Sequence, residues 1–582
     1  MIIKLFKRLL PVQILLAAIS TINGIISGIY GSNFIGPDVM SVVGLYNPIY
    51  TCFLTISTIL LGGTQVLCGK YLGRNEFDKT NDIFSIDIFI VMLLGISISL
   101  IMFIFASPIS LLLGADQTTI IHLVPYLRGT AIGIIPLFMS QQLSAFLSLE
   151  QQNTRTTIGS CLYIIANIVL GYLFVAKFKM GAFGLSLASS IGLLLFTLYL
   201  AEYYLRGKSI MHFKLPTNKI KYIIDIFKTG YAGALSFAYQ VIRGFGFNAL
   251  ILKYVGNSGL AALATYNTIN ALLWSIPAGI IAVGRVLLSV SYGEEDRHNL
   301  IETMKVTIFK YGVIDLIISI IIGFFASFIA GIYYQDQTSD VFEMTRMAIK
   351  IVPPSMILSI ICVIFVNWGQ IISKHSLVHL LSLLDGLLCT VLFAYIFLPI
   401  FNMNAIWYSY VFNGIITTLA IFIFVWLNNK KMPKNMSDLM MLDDDFGASA
   451  LEIVNIELHD ESEVNEVSKK IQEFCDNRGI NKKTSYYASL AMEEMAGNII
   501  SHGFKKDNKK HSLEARVVHK NNSIILRIKD DCIPFNPQER KDMIDSEDIL
   551  KNIGIRMIYK LIKDIDYQHI FGLNVLTMTI EE

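Results

Sequence analysis

The first 430 residues alternate long apolar stretches with short polar breaks. Twelve stretches stand out, at roughly 12–35, 42–70, 83–106, 122–148, 157–176, 182–205, 225–254, 260–290, 304–331, 345–371, 377–398 and 405–427. A helix needs about 20 apolar residues to cross a bilayer, so the pattern predicts twelve membrane-spanning helices. Past residue 450 the period shortens and polar residues return. There "ALEIVNIEL" predicts a strand, "EVNEVSKKIQEFCDNRG" a helix ending at Gly479, and "KKTSYYASLAMEEMAGNIISHG" a helix stopped by Gly503. "HSLEARVVHK" and "NSIILRIKDD", joined by "NN", predict a hairpin. "EDILKNIGIRMIYKLIKDI" predicts one or two helices, and "NVLTMTIEE" a last strand. The tail is therefore expected to be an α+β sandwich.

Composition sharpens that boundary. The 582-residue chain is 54% hydrophobic and 16% charged, against about 25% charged in a typical soluble domain. Residues 1–430 hold 26 Lys and Arg and 18 Asp and Glu, whereas residues 431–582 hold 21 and 27. The first segment is suited to lipid and the second to water. Neither has the basic excess of a nucleic-acid surface. The expected division is a six-helix lobe at 1–210, a second at 211–430, a linker at 431–449 with Pro433 and Asp443–Asp445, and a tail domain at 450–582. Five of the seven cysteines fall in apolar stretches, where cysteine acts as a small hydrophobe. Cys475 and Cys532, in the tail, point to a reducing compartment. The apolar run after Lys4, Lys7 and Arg8 has no small-x-small cleavage site, so it reads as a first span rather than a signal peptide.

Basic residues set the expected orientation. Lys4, Lys7 and Arg8, then Lys70, Arg74 and Lys79, then Arg206, Lys208, Lys214, Lys219 and Lys221, then Lys430, Lys431 and Lys434 all fall on one side of twelve spans. Positive loops stay inside, which places both termini in the cytoplasm of an inner-membrane protein. The chain also repeats. Gly36, Tyr46, Asn47 and Gly73 recur as Gly256, Tyr266, Asn267 and Gly293, each 220 residues on. Six helices separate the copies, so the repeat is parallel. Such repeats commonly rock around a central cavity, and the Tyr46/Asn47 and Tyr266/Asn267 pairs are candidates to line it. Hydrogen bonding between helices accounts for them equally well.

At this point a resemblance emerges. "FIGPDVMSVVGLYNPIYTCFLTISTILLGGTQVLCGKYLGRNEFDKTNDIF" resembles the first repeat of the multidrug and toxic compound extrusion (MATE) family, and "SLEQQNTRTTIGSCLYIIANIVLGYLF" resembles its fourth-to-fifth span connection. The resemblance covers about 1–430. It implies export of small organic compounds across a lipid bilayer, coupled to Na⁺ or H⁺.

Ionisable residues inside a membrane are functional candidates by default. Asp385 in "LLSLLDGLLCTVLF", Asp315 in "KYGVIDLIISII" and Asp87 near the start of the third span could each bind the coupling ion through hard oxygen ligands. A carboxylate paired with a nearby hydroxyl is the structural alternative. Where some MATE-like proteins carry an acid in span seven, this chain has Gln240, with Arg243 one turn on; the first span lacks any acid, and its polar residues include Ser20, Asn23 and Ser27. A less cationic or anionic substrate would suit such a cavity, with Arg243 as counter-charge or as a snorkelling side chain.

In the tail, Glu494 and Asn498 are four apart on one helix face. "SLAMEEMAGNIISHGF", "LRIKDDCIPFNP", "NIGIRMIYKLIKDIDY" and "GLNVLTMTI" follow in order, resembling the ATP-binding domain of anti-sigma-factor serine kinases in the gyrase/Hsp90/histidine-kinase/MutL (GHKL) group. The resemblance implies Glu494 as general base, Asn498 as Mg²⁺ ligand, Asp530 as partner of the adenine amine and Gly554 in the phosphate-binding loop. Cys532 and Asn552 stand where that group usually has glycine. Two readings follow: a transporter regulated by an ATP-binding tail, or a membrane-anchored kinase with a cytoplasmic protein substrate. An ATP-driven pump is disfavoured, because the chain has no G-x-x-x-x-G-K-[ST] loop.

Overall fold

A computed structural model describes residues 2–581, apart from 36–37, 215–218, 444–445, 449–451, 505–510, 521–522, 535–561 and 571–572 and the single positions 75, 114, 116, 118, 151, 208, 335 and 563. Seven helices make the first lobe: α1 (Ile2–Tyr30), α2 (Asp38–Gly73), α3 (Phe77–Ile104), α4 (Ala106–Leu112), α5 (Ile120–Leu149), α6 (Asn153–Gly171) and α7 (Gly181–Leu205). The second lobe holds α8 (Lys219–Tyr254), α9 (Asn257–Leu273), α10 (Ser275–Gly293), α11 (Arg297–Lys305), α12 (Gly312–Phe324), α13 (Ala326–Tyr333), α14 (Asp340–Ile371), α15 (His375–Leu383), α16 (Cys389–Phe401) and α17 (Asn404–Asn429).

Among the described residues eleven helices are long and apolar enough to cross a membrane, and twelve if the bent α5 counts as one. The bend, 43° near residue 133, lies between Pro125 and Pro136, and proline removes a helix hydrogen bond and clashes with the preceding turn. Several boundaries differ from expectation; the stretch at 304–331, for one, breaks at Phe325 between α12 and α13. The first helix begins at Ile2 rather than near 12, because Lys4, Lys7 and Arg8 extend it past the apolar stretch without breaking it. The stretch at 260–290 breaks at Trp274 into α9 and α10, and Pro277 sits in the first turn of α10, where proline is tolerated.

The repeat has a physical counterpart. Gly73 ends α2 and its repeat mate Gly293 ends α10, and the two lie against each other. A Cβ on Gly73 would collide with Val290 O, and one on Gly293 with Lys70 O. The lobes therefore meet backbone to backbone at this end, which only glycine permits.

The linker is seated rather than loose. A short helix α18 (Met436–Leu439) buries Met436 and, just beyond it, Met440 in the second-lobe core. Trp368 Nε1 donates to Met440 O at 2.8 Å, and Phe446 stacks on Tyr292.

The tail folds as an antiparallel sheet of β1 (Ile453–Leu458), β2 (Leu513–Lys520), β3 (Ser523–Asp530), β4 (Asp564–Ile570) and β5 (Leu573–Glu581), in the order β1-β2-β3-β5-β4. Side chains alternate between faces along a strand. One face, with Leu458, Ala515, Leu526, Ile528 and Met578, packs on α19 (Val464–Asn477) and α20 (Lys482–Asn498). The other is polar. In register, Arg516 sits opposite Asn455 and Arg527, and Glu514 opposite Lys529. Strand β4 was not expected: "DIDYQHI" alternates on the sheet's edge, and its first two residues belong to the stretch read as helix. The rest of that helix mostly lies outside the described residues.

Candidate functional site

A cavity of about 610 Å³ opens inside the first lobe. Helices α1, α2, α5, α6 and α7 wall it, and α10 of the second lobe closes one side. Its polar lining is neutral: Gln13, Asn23, Tyr46, Tyr50, Gln65, Tyr126, Gln141 and Tyr163, with serines from α5 and α7. Several are held in place. Gln13 Nε2 donates to Ser148 Oγ at 2.8 Å, and Ser57 Oγ to Gln141 Oε1 at 2.6 Å. Asn167 donates to Asn23, and Ser189 Oγ to Asn167 Oδ1 at 3.2 Å. Tyr46 packs edge-on to Tyr126 with ring centroids 5.4 Å apart. Arg285, from α10, is the exception, the one formally charged side chain in the lining among the described residues.

None of the three membrane aspartates lines this cavity. Asp87 is fully buried on α3, and among the described residues neither carboxylate oxygen has a hydrogen-bond partner. Asp315 is buried on α12, with Oδ2 unpartnered among the described residues. Asp385 sits in a π-helical turn at Leu384–Leu388 and accepts from Asn413 Nδ2 at 2.7 Å. Arg243 donates to the backbone carbonyl of Asp385 at 3.4 Å and lies over the Tyr410 ring. It is a neighbour of Asp385 and not a wall of the first-lobe cavity. Gln240 and Asn267 are exposed and also outside that lining. Tyr266 is buried against Trp407 and donates to Asn270 Oδ1 at 2.9 Å. The side chain of Asn47 lies outside the described residues.

In the tail, Glu494 and Asn498 lie half-buried on the last turns of α20. Gly503, just beyond, lies beside the end of β3: a Cβ there would meet Cys532 Sγ. Asp530 closes β3 on the helix-side face. It is buried, and its Oδ1 accepts from Asn574 Nδ2 at 2.7 Å and from Cys532 N–H at 3.0 Å. Burial pushes its carboxyl above the ordinary range, and these hydrogen bonds offset only part of the rise. Neutral donors hold this carboxylate. Gly554 and Asn552 lie outside the described residues.

The polar sheet face meets the loop after α10. Lys529 Nζ donates to Glu294 Oε2 at 2.8 Å and lies 3.5 Å from Asp296 Oδ2. Arg516 pairs with Asp296, reaches Glu514 at 2.8 Å and donates from Nε to Asn455 Oδ1 at 2.6 Å. Asp296 also caps α11, accepting from Asn299 N–H at 3.0 Å. Burial alone would raise its carboxyl, but Arg516, Lys529 and Arg527 outweigh that and hold it well below the usual range. On the first lobe, Lys4 of α1 pairs with Asp531, which also accepts from Ser512 N–H at 2.9 Å. The tail thus touches both lobes at the end where Gly73 meets Gly293.

The sequence model of the MatE family matches residues 2–173 and 233–396. The chain belongs to the MatE family. A second match, to the histidine kinase-like ATPase domain, covers 458–580, so the MatE segment carries a tail of that fold. The multidrug export protein MepA of Staphylococcus saprophyticus subsp. saprophyticus is 24% identical over 434 residues, spanning 72% of this chain and 93% of its own. The probable multidrug resistance protein NorM of Photorhabdus laumondii subsp. laumondii is 22% identical over 337 residues, 56% and 72% of the two chains. Among solved structures, MATE in complex with MaL6 superposes with a TM-score of 0.68 at 20% identity, covering 75% of this chain and 97% of that one. A MOP superfamily transporter from Pyrococcus furiosus gives 0.68 at 19%, covering 75% and 96%. The structural likenesses establish the fold of the MatE segment, a multi-pass membrane bundle.

Two groups of residues escaped the sequence reading. Arg285 had a visible signal, a lone charge in "PAGIIAVGRVLLSV". Glu294, Asp296, Arg516, Arg527 and Lys529 had none, since the partners lie more than 200 residues apart and each alone looks like a solvated charge.

Proposed function

We propose that this chain is a secondary-active exporter of small organic compounds, driven by Na⁺ or H⁺ and regulated by an ATP-binding tail on the cytoplasmic side of an inner membrane. The names of the MepA and NorM relatives support the export reading. The first-lobe cavity supplies a substrate chamber, because drug-sized ligands occupy cavities of about 300–1,000 Å³. Asp385 is the proposed coupling residue: a carboxylate at membrane depth is costly unless protonated or paired with a cation, and its carboxylate accepts from the neutral amide of Asn413 while Arg243 reaches only its backbone carbonyl.

The observation that carries the regulatory part is the docking of the tail on both lobes, through Lys4–Asp531 and through the Glu294–Asp296 loop. Lobes that rock must separate at one end. A tail tied to the ends of α1 and α10 would hold this end shut. Asp530 is adjacent to both anchors, since Asp531 binds Lys4 and Lys529 binds Glu294. In this reading Asp530 holds the adenine amine, Asn498 takes Mg²⁺, and Glu494 is placed to accept a proton. ATP, when bound, would supply the charged triphosphate that this end of the tail must accommodate.

The test is dye efflux from proteoliposomes holding the full chain, with imposed Na⁺ or H⁺ gradients and with ATP on either side. The expected result is gradient-driven efflux, lost in Asp385→Asn, with a rate that changes when ATP faces the tail. Efflux indifferent to both gradients would overturn the coupling. A rate indifferent to ATP in wild type and in Asp296→Ala would overturn the regulation.

A further inference from the structure

The cavity lining holds many hydroxyl and amide groups, no carboxylate and one guanidinium. Arg285 shares a face of α10 with Ala278 and Ala282, seven and three residues earlier, and all three reach the cavity. The small alanines leave the guanidinium room. Its Nε is sealed from solvent and has no acceptor, and no hydrogen bond or ion pair involving Arg285 occurs among the described residues. Arginine keeps its charge in proteins and offers five donors in a planar fork suited to an oxyanion. Enclosing such a charge is costly until an acceptor arrives. An organic cation would find no counter-charge here and would face the guanidinium. An anion would find Arg285 and a wall of neutral donors, with tyrosine rings for an aromatic body.

We propose that the cavity binds aromatic or amphipathic organic anions, whose carboxylate or phosphate headgroup is held by Arg285. This rests on the exporter reading only in taking the cavity as the substrate chamber. The experiment is calorimetric titration of the full chain in nanodiscs with 1-naphthoate, 1-naphthyl phosphate and (1-naphthylmethyl)trimethylammonium. These share a ring system and differ in headgroup, and the tighter of the two anions identifies which headgroup fits. At least one anion is expected to bind saturably and at least tenfold more tightly than the cation. Arg285→Gln is expected to weaken anion binding by about tenfold to a hundredfold, the loss of a charge-assisted contact. Arg285→Lys should restore part of it. Preference for the cation, anion binding that survives Arg285→Gln unchanged, or absence of binding by either anion would overturn the proposal. A thermal melt of Arg285→Gln matching wild type confirms that the variant is folded. Because the assay reads equilibrium binding, a chain that binds the anion but transports nothing would sink the exporter reading and leave this one standing.

Discussion

Arg516 and Arg285 carry the same charge in two enclosed places and have opposite surroundings. Arg516 meets Asp296, Glu514 and Asn455, so its charge is absorbed within the protein. Arg285 meets no charged side chain among the described residues. The first arrangement fixes a domain; the second leaves an unfilled valence facing an open chamber. Burial alone does not separate structural from functional charges. Whether the partner is internal does.

The aspartates divide the same way. Asp296 and Asp531 are answered by cations on another part of the chain, whereas Asp530 is held by an amide and a backbone N–H. Asp87 has no hydrogen-bond partner among the described residues. The paired residues join the tail to the lobes. Asp530, held by neutral donors, is the one in the tail to which ligand binding is assigned.

The largest effect should come from breaking the paired set. Asp296→Ala takes from Arg516 its partner on the lobe, leaving it Glu514 and Asn455 within the tail, and uncaps α11. Removing one partner of a buried ion pair costs about 3–5 kcal/mol, so the tail should undock, with a lower melting temperature for the full chain and faster proteolysis at the linker. The double variant Arg516→Met, Asp296→Leu should recover much of the loss, since an apolar pair removes the stranded charge. Arg285→Gln should leave the melt unmoved or raise it. Acid should not mimic Asp296→Ala. A depressed carboxyl contributes stability that is present above its unfolded value and lost only as pH falls through the folded one. Docking should therefore be the same at pH 7 and pH 5, read by the same proteolysis. Undocking at pH 5 would mean that Asp296 is not the anchor.

Much of this fold was legible in the sequence, and the reasons are local. Membrane spans are long runs of one chemistry, so twelve apolar stretches could be counted before any helix was seen. Helices α19 and α20 carried their own stops, Gly479 and Gly503. The edge strand β4 was lost because "DIDYQHI" is short and follows a stretch with helical periodicity. Trp274 breaks the eighth stretch inside an apolar run, and Ser275 and Pro277 were too slight a signal to split it. The repeat was legible, but its consequences were not symmetric: Tyr46 faces the cavity, while Tyr266 is locked between Asn270 and Trp407. Equal sequence positions in two lobes need not share a role when one faces this cavity and the other is packed away from it. The docking face was illegible because it joins strands to a loop over 200 residues away.

A smaller effect is expected between neighbours on β3. Asp530→Ala should weaken ATP binding by about tenfold to a hundredfold, the range of a hydrogen bond to a charged group. Asp531→Ala should leave ATP affinity within a few fold while freeing Lys4. Fluorescent-nucleotide titration of the full chain distinguishes them. Equal losses from both would show that the two carboxylates act as one site, and the division between paired and unpaired acids would fail there.

The smallest effect tests where the docking cluster ends. Arg527 approaches Glu294 at 3.7 Å and Asp296 at 3.8 Å, at the limit of ion pairing, and its side chain is 21% exposed against 5% for Arg516. Partly exposed pairs of this kind contribute about 0.2–1 kcal/mol and are screened by salt. Arg527→Gln should therefore slow or speed linker proteolysis only slightly at physiological salt. The gap between it and wild type should close as salt is raised, because screening removes what the variant lacks. Arg516 is enclosed with its partners, so the penalty of Arg516→Ala should persist at high salt. If both penalties vanished together on adding salt, the cluster would be a wet surface contact throughout. The contrast between a sealed arginine that fixes the tail and an open one that awaits a ligand would then lose its first member.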